Sequence, residues 1–339
     1  MAVFGAAYCM PTSTSELLAW KSRPAIPDPI GFAGSFAGRS RGALLAGGGA
    51  NFPGKPPWEG GTKVWHDRLF VLEDGASAWR EAGRLPQPNG YGASLSIGDD
   101  VVLIGGGDAT QNFSKVWRLR WDGRSVAFGA LPELPRPLAM LAAANAGNTI
   151  YVTGGLVRPD ATEAQSGFYA LDLSRPASGW RELEPCPGPA RFLAVAGALD
   201  GSFYVFGGAK LVADASGKPQ REWLRDAWRY TPGSGWKRLA DLPRAAVAAP
   251  SPAAVASGRL LVIGGDDGTQ VNTAPADHRG FPRGILAYDP ATDTWSPAGE
   301  VPFSLVTTTA VLWPGHIAVP GGEKRPGIRS TEVWSAELP

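Results

Sequence analysis

The sequence contains six copies of an apolar segment that ends in a pair of glycines. The first glycines of successive pairs are 58, 49, 53, 57 and 57 residues apart. A regular recurrence of this length is typical of repeat architectures in which each repeat forms one small unit of strands. Paired glycines allow positive φ and close approach to a neighbouring backbone. The six segments are ALLAGG, VVLIGG, IYVTGG, FYVFGG, LLVIGG and IAVPGG.

A second mark, an aromatic residue followed by a short polar stretch and a proline, accompanies the repeat. Five copies follow a glycine pair, and the sixth, WKSRPAIP, stands near the N-terminus at Trp20. We therefore expect the last repeat to take three strands from the C-terminus and its outer strand from residues 16–21, which closes a ring and removes an exposed sheet edge. The sequence predicts an all-β, six-bladed kelch β-propeller as a single domain over residues 16–339, after an N-terminal tail of residues 1–15.

Each repeat indicates four antiparallel strands, a to d, with the glycine pair at the end of strand b. The a–b turns are short, whereas the b–c connections are long and share one face with the d–a connections. Loops on a rigid scaffold often carry function, so we expect the site on that face. The predicted b–c loops are residues 49–65, 107–115, 156–166, 209–225, 266–283 and 323–330.

Composition excludes several classes of protein. The 32 basic and 31 acidic residues give a formal net charge of +1, which does not favour a nucleic-acid partner or an anionic membrane surface. No apolar run is long enough for a membrane-spanning helix. Cys9 and Cys186 do not make a disulfide framework. The first fifteen residues lack a basic n-region and a long h-region, so we expect no intact secretory signal there.

The loop GGEKRPGIRS contains the most distinctive charged residues. Glu323 follows its glycine pair and Arg329 comes six residues later, and a tight turn at Pro326 and Gly327 would bring the two side chains together. A carboxylate at a channel mouth can act as a general acid or base, and an arginine can bind a substrate carboxylate through two hydrogen bonds. The alternative is an ion pair that only orders the loop, and the residue types alone favour it.

Other loop residues suit a small polar ligand. Asn51, Phe52 and Lys63 lie in the first long loop, and we add Asn112 and Arg191 as predicted substrate-binding residues. The alternative for the first loop is a segment that packs on itself. The three histidines, His66, His278 and His316, fall at positions that do not converge, so we expect no histidine-based metal centre.

Three stretches resemble a known family: GFAGSFAGRSRGALLAGGGANFPG, YGASLSIGDDVVLIGGG and GGEKRPGIRSTEVWSAEL. The chain is similar to the kelch-type N-acetylneuraminate epimerase (sialic acid mutarotase) family, in its cyclically permuted branch. The resemblance implies an isomerase that interconverts the α and β anomers of a sugar acid by acid/base ring opening, with Glu323 and Arg329 as the catalytic pair. It implies no cofactor and no metal, and it is compatible with a periplasmic location.

Two other functions remain open at this point. One is a non-catalytic kelch module that binds a glycan or a protein through the loop-rich face. The other is a copper enzyme similar to galactose oxidase, which needs converging histidine and tyrosine ligands that the scattered histidines do not favour. The sequence makes no prediction of oligomeric state.

Overall fold

In the computed structural model, which describes residues 18–339, six four-stranded antiparallel sheets form the blades of a propeller. Strand β1 (Trp20–Arg23) precedes the first complete blade. No helix within these residues is long and apolar enough to cross a membrane. The strands of the first three blades are β2 (Phe36–Ser40), β3 (Ala43–Gly47), β6 (Arg68–Leu72) and β7 (Arg80–Arg84); β8 (Ala93–Ile97), β9 (Asp100–Ile104), β10 (Val116–Trp121) and β11 (Val126–Leu131); and β12 (Ala142–Ala146), β13 (Thr149–Thr153), β14 (Phe168–Asp172) and β15 (Arg181–Leu183).

The remaining blades follow the same order. Two short 3₁₀ turns, Pro57–Glu59 and Pro176–Ser178, lie in connections. Two small hairpins also lie outside the blades: β4 (Ala50–Asn51) with β5 (Val64–Trp65), and β18 (Ala209–Ala213) with β19 (Pro219–Trp223). The strands of blades four to six are β16 (Val195–Leu199), β17 (Ser202–Phe206), β20 (Ala227–Thr231) and β21 (Gly235–Leu239); β22 (Ala254–Ala256), β23 (Arg259–Ile263), β24 (Gly284–Asp289) and β25 (Thr294–Glu300); and β26 (Val311–Trp313), β27 (His316–Arg325) and β28 (Ile328–Glu337).

The sixth blade joins the two ends of the chain. Strand β1 pairs with β28, so the order across this sheet is β1-β28-β27-β26, with Trp20 opposite Ala336. This confirms the predicted closure, although the strand runs over residues 20–23 rather than 16–21. The predicted tail of residues 1–15, with Cys9, lies outside the described residues.

Three predicted loops contain regular strands, and the first of them, residues 49–65, includes β4 and β5. The connection over residues 209–225 forms the β18–β19 hairpin, which projects from the fourth blade. The segment over residues 323–330 is not a loop, because it continues β27 and β28 into one long hairpin that turns at Pro326 and Gly327. The predicted tight turn is confirmed, and its strands make the positions of the flanking side chains much more defined than a loop would.

The repeated tryptophans join neighbouring blades in two ways. Their rings pack in apolar clusters that lie between adjacent sheets. Four of them also donate an indole N–H to a backbone carbonyl beside the outer strand of the preceding blade, at distances of 2.7–2.9 Å. A buried indole N–H needs such a partner, so these tryptophans contribute both apolar packing and hydrogen bonds between blades. These donors are Trp79, Trp180, Trp236 and Trp295.

A closed ring of six backbone hydrogen bonds surrounds the propeller axis. One residue just before each inner strand donates its N–H to the equivalent carbonyl of the preceding blade, at N–O distances of 2.6–2.9 Å. All six have φ between 53° and 65°, a left-handed conformation that is uncommon for residues other than glycine. The ring narrows the channel and forms the floor of the cavity on the loop-rich face. Its members are Gly34, Tyr91, Met140, Leu193, Ala248 and Thr307.

Candidate active site

A pocket of about 270 Å³ lies on the face formed by the b–c connections, directly above the ring. Its floor contains ring residues such as Tyr91 and Thr307. Its walls carry three cationic side chains and two carboxylates from four different blades or their connections. Such a mixture of charges over an apolar floor is suited to a small, polar, anionic ligand. The charged lining residues are Lys63, Arg221, Asp266, Glu323 and Arg329.

The hairpin of β27 and β28 places Glu323 and Arg329 on the pocket wall. The two residues are direct cross-strand partners, and Glu323 Oε1 lies 2.8 Å from Arg329 Nη1. Oε1 also accepts the backbone N–H of Gly327 at 2.7 Å. Both of these contacts use Oε1, so the carboxylate is held in one orientation while Oε2 stays available to a ligand.

The guanidinium of Arg329 is fixed on several sides. Nε donates to the carbonyl oxygen of Ala50 at 3.1 Å, and the guanidinium carbon lies 5.1 Å from the centre of the Phe52 ring. The Arg329 side chain is only 5% exposed. Nη1 is close to Glu323, but its N–H groups do not point at the oxygen, so the contact is an ion pair without a directed hydrogen bond. A buried donor without an acceptor is costly, and a ligand oxygen in the pocket would satisfy it.

The tip of this hairpin requires glycine. Gly327 has φ of 79°, and a Cβ at this position would lie 2.7–2.8 Å from side-chain atoms of Trp58 and Pro57. The 3₁₀ turn of the first long connection therefore packs directly on the hairpin tip. This contact joins blades one and six at the pocket, and it fixes the N–H of Gly327 that orients Glu323.

Lys63 occupies an aromatic site at the edge of the pocket. Its Nζ lies 4.0 Å from the centre of the Tyr91 ring and 4.8 Å from that of Trp65. Within residues 18–339, no carboxylate oxygen lies within 4.0 Å of Nζ. The pKa of Lys63 is lowered to about 8, first by burial and then by the positive charge of Arg329, while the negative charge of Glu323 acts in the opposite direction.

Tyr91 connects the ring to the charged groups. It is buried, adopts a φ of 61° as a member of the ring, and lines the pocket. Burial raises the pKa of the Tyr91 hydroxyl, which outweighs the opposing effect of the nearby Arg329. The hydroxyl therefore stays protonated at neutral pH and serves as a hydrogen-bonding group.

Sequence reasoning missed two charged residues of this pocket. Arg221 belongs to β19, and its guanidinium carbon lies 5.5 Å from the centre of the Phe192 ring. Asp266 accepts the backbone N–H of Gly268 at 2.9 Å and the indole N–H of Trp223 at 3.2 Å. A signal for Asp266 did exist, because it follows its glycine pair directly, as Glu323 does.

Asn51, Asn112 and Arg191, all predicted to bind substrate, lie outside this pocket and hold the scaffold instead. The amide of Asn51 donates to the carbonyl of Gly31 and its oxygen contacts His66, and the amide of Asn112 donates to the carbonyl of Leu156. Each buried amide therefore has a backbone carbonyl as its hydrogen-bond partner, as buried polar groups require. Of the five predicted substrate-binding residues, Phe52 and Lys63 line the pocket.

Arg191 is the most completely bonded of these three residues. It is 2% exposed and forms two hydrogen bonds with Asp226, at 3.0 and 2.5 Å. Two further N–H groups bond to the carbonyls of Gly207 and Pro189. Asn89 donates to the carbonyl of Gly105 in the same way two blades earlier, so in these two blades this position ties the ring segment to its own glycine pair.

The histidines lie apart. His66 contacts Asn51, His278 accepts the N–H of Gly280 through Nδ1, and His316 stacks on Trp313 in an a–b hairpin of the sixth blade. Within residues 18–339, no group of three or more histidine, cysteine, aspartate or glutamate side chains is arranged to hold a metal ion.

Comparisons with known proteins agree with this architecture. The sequence model of a family described as N-acetylneuraminate epimerase matches residues 9–128 and 131–273. An N-acetylneuraminate epimerase from Yersinia enterocolitica is 30% identical over 233 residues, which are 61% of this chain and 57% of that protein. One from Haemophilus influenzae strain 86-028NP is 30% identical over 234 residues, 61% and 59% of the two chains. The matched region thus spans less than three fifths of these relatives.

A solved structure supports the fold independently. The structure titled "Structure of YjhT" superposes with a TM-score of 0.66 at 16% identity and covers 92% of this chain and 96% of that one. At this identity the likeness concerns the fold. The cyclically permuted order of the blades stays a prediction. The extent of the sequence match, over most of the chain, shows that this protein belongs to the N-acetylneuraminate epimerase family.

Proposed function

We propose that this protein is a mutarotase that interconverts the α and β anomers of N-acetylneuraminate or a closely related sugar acid. One observation carries the proposal: Glu323 and Arg329 are cross-strand partners on the wall of the pocket, with Glu323 Oε1 held and Oε2 available. The names of the relatives support the substrate class. A pocket of about 270 Å³ is close to the lower end of the range for small-molecule sites, which suits a single sugar.

Ring opening requires two proton movements. A base takes the proton of the anomeric hydroxyl while an acid delivers a proton to the ring oxygen, and the reverse steps close the ring from the other face. Glu323 is suited to the first movement, because Arg329 and the N–H of Gly327 hold its carboxylate through Oε1 and leave Oε2 to a ligand. The chemistry uses proton transfers only, so these side chains can carry it without a redox group.

The substrate carboxylate needs a cationic partner. Arg329 directs Nε to a backbone carbonyl and keeps Nη1 without an acceptor, so a carboxylate oxygen would complete its hydrogen bonding. Arg221 also lines the pocket, and within residues 18–339 it has no carboxylate at ion-pair distance. These two guanidiniums would position the sugar acid relative to Glu323.

The test follows the exchange of freshly released α-anomer by proton NMR, with the spontaneous rate in buffer subtracted. We expect the unmodified protein to accelerate exchange and Glu323→Gln to reduce kcat by about 100-fold or more, as is typical for the loss of a general base. The matched control is Glu332→Gln, the same change on the same hairpin but outside this pocket, where the carboxylate pairs with Lys324. If Glu323→Gln exchanges anomers as fast as this control, Glu323 does not have the proposed role.

A further inference from the structure

We propose that Lys63 is the general acid of this site, delivering a proton to the ring oxygen while Glu323 takes one from the anomeric hydroxyl. This inference rests on the proposed function. It gives Lys63 a role in the chemical step, beyond contacting the substrate. The argument starts from an ammonium group that the protein places at a ligand pocket without giving it an acceptor.

The ammonium group of Lys63 lies against the faces of two aromatic rings. Nζ lies over Tyr91 and beside Trp65, and neither ring accepts a directed hydrogen bond of ordinary strength. A partly buried ammonium has three N–H donors, and within the described part of the chain no carboxylate reaches them. A ligand oxygen in the pocket is the acceptor that this arrangement lacks.

The other charged groups around the pocket do not suit the acid role. Arg221 and Arg329 are guanidiniums, which keep their protons in proteins. Glu323 is assigned as the base. Asp266 accepts two hydrogen bonds from Trp223 and Gly268, so its oxygens act as acceptors. Tyr91 has a raised pKa and is a weak acid at neutral pH.

Lys63 has the acidity that the step needs. Its pKa of about 8 leaves it protonated at neutral pH yet much more acidic than an ordinary lysine, and an acid with a pKa near the working pH is the most effective proton donor. The positive charge of Arg329 contributes to this value, and Glu323 opposes it. The two proton-transfer groups therefore come from different elements: Lys63 precedes β5 and Glu323 lies on β27.

The step balances without a co-reactant. Glu323 receives the proton of the anomeric hydroxyl, the carbonyl forms, the bond from the anomeric carbon to the ring oxygen breaks, and its electron pair takes a proton from Lys63. After rotation about the neighbouring carbon–carbon bond, the neutral amine of Lys63 takes that proton back as the oxygen attacks the other face, and Glu323 returns its proton to the new hydroxyl. Both residues end in their starting states.

The test compares Lys63→Arg with the unmodified protein, measuring kcat and KM of anomer exchange from pH 6 to pH 10. Arginine keeps the positive charge but does not release a proton in this range. We expect kcat of Lys63→Arg to fall by about 100-fold at pH 7, with KM changed less than threefold. In the unmodified protein, kcat/KM should decline above about pH 8, because this ratio reports groups of the free enzyme.

Circular dichroism and the thermal midpoint verify that Lys63→Arg is folded, and Lys63→Gln provides a second variant that should lose kcat to the same extent. If Lys63→Arg keeps kcat within threefold and retains the alkaline decline, Lys63 serves only as a charge and the proposal is overturned, while the mutarotase function stands. A flat profile of kcat/KM to pH 10 in the unmodified protein also overturns it. If the unmodified protein fails to accelerate exchange above buffer, both proposals are wrong.

Discussion

Replacing Arg191 by methionine should destabilise the fold strongly while leaving substrate affinity unchanged. Methionine has a similar length but removes two hydrogen bonds to Asp226 and one each to the carbonyls of Gly207 and Pro189. It leaves the Asp226 carboxylate, whose side chain is 11% exposed, with the indole N–H of Trp228 as its remaining donor. The main cost is this uncompensated charge rather than the lost contacts themselves.

The magnitude follows from the burial of the pair. Removing one partner of a buried ion pair typically costs about 3–5 kcal/mol of unfolding free energy. One kcal/mol shifts the thermal midpoint by about 2–4 °C for chains of 150–250 residues, and by less for longer chains. For a chain of 339 residues the shift is about 1.4 °C per kcal/mol, so we expect the midpoint of Arg191→Met to fall by roughly 4–7 °C. Adding Asp226→Asn should recover about 1 kcal/mol or more, because it removes the buried charge.

The assay is urea denaturation followed by tryptophan fluorescence, paired with the KM of anomer exchange for the folded variant. Arg175→Met is the control: its side chain is 80% exposed and its pair with Asp172 should contribute less than about 1 kcal/mol. If Arg191→Met leaves the urea midpoint unchanged and raises KM, the structural role assigned to Arg191 is wrong and the original interpretation as a substrate ligand holds.

Three further changes test the scaffold. Burial alone would raise the pKa of Asp293, but hydrogen bonds from a backbone N–H and from Tyr288 lower it. The contribution of Asp293 to stability is therefore present above about pH 4 and is lost as the pH falls through the pKa of the folded state. Asp293→Asn should lose less urea resistance than the parent between pH 4 and pH 2.5, and parallel curves for the two proteins would contradict this. Deleting residues 1–23 removes β1 and leaves β28 as an open edge, which should lower both the thermal midpoint and the exchange rate relative to a chain that lacks only residues 1–17; unchanged values would argue against the closure. Gly34→Ala should cost about 1–3 kcal/mol, since φ is 65° and the new Cβ would lie 2.7 Å from the Tyr91 ring; a wild-type urea midpoint would show that the ring tolerates a side chain there.

The repeat predicted the fold well because its marks are local. A glycine pair at the end of a strand, or an aromatic residue before a proline, is fixed by the strand or turn that contains it. The hydrogen-bonded ring at the axis has no such mark: Gly34, Tyr91 and Thr307 occupy equivalent positions but share no residue type. Their left-handed conformation is imposed by closure of the ring, which no single segment encodes.

The candidate site was predictable only in part, for a related reason. Glu323 and Arg329 stand on either side of a turn whose sequence indicates that they meet. Arg191 and Asn112 have the chemistry of ligand-binding residues. Their N–H groups, however, donate hydrogen bonds to backbone carbonyls, Arg191 to that of a glycine pair and Asn112 to that of the neighbouring blade. Arg221 reaches the pocket because its connection folds into a hairpin, and no local sequence pattern indicated its position.

The glycine pairs also explain how a symmetric scaffold builds an asymmetric site. In five blades the residue directly after the pair bridges to the residue before the ring, and in the first blade Ala50, which follows a third glycine, does so; six equivalent positions therefore surround the pocket floor. Four of them hold residues without charge, and the other two, Asp266 and Glu323, lie on adjacent blades. The carboxylates are thereby confined to one side of the axis. Lys63 comes from the connection of blade one and Arg221 from that of blade four, whereas the third cation, Arg329, stands beside Glu323. The proposed ring opening uses this separation, since the base and the acid act on different atoms, the anomeric hydroxyl and the ring oxygen.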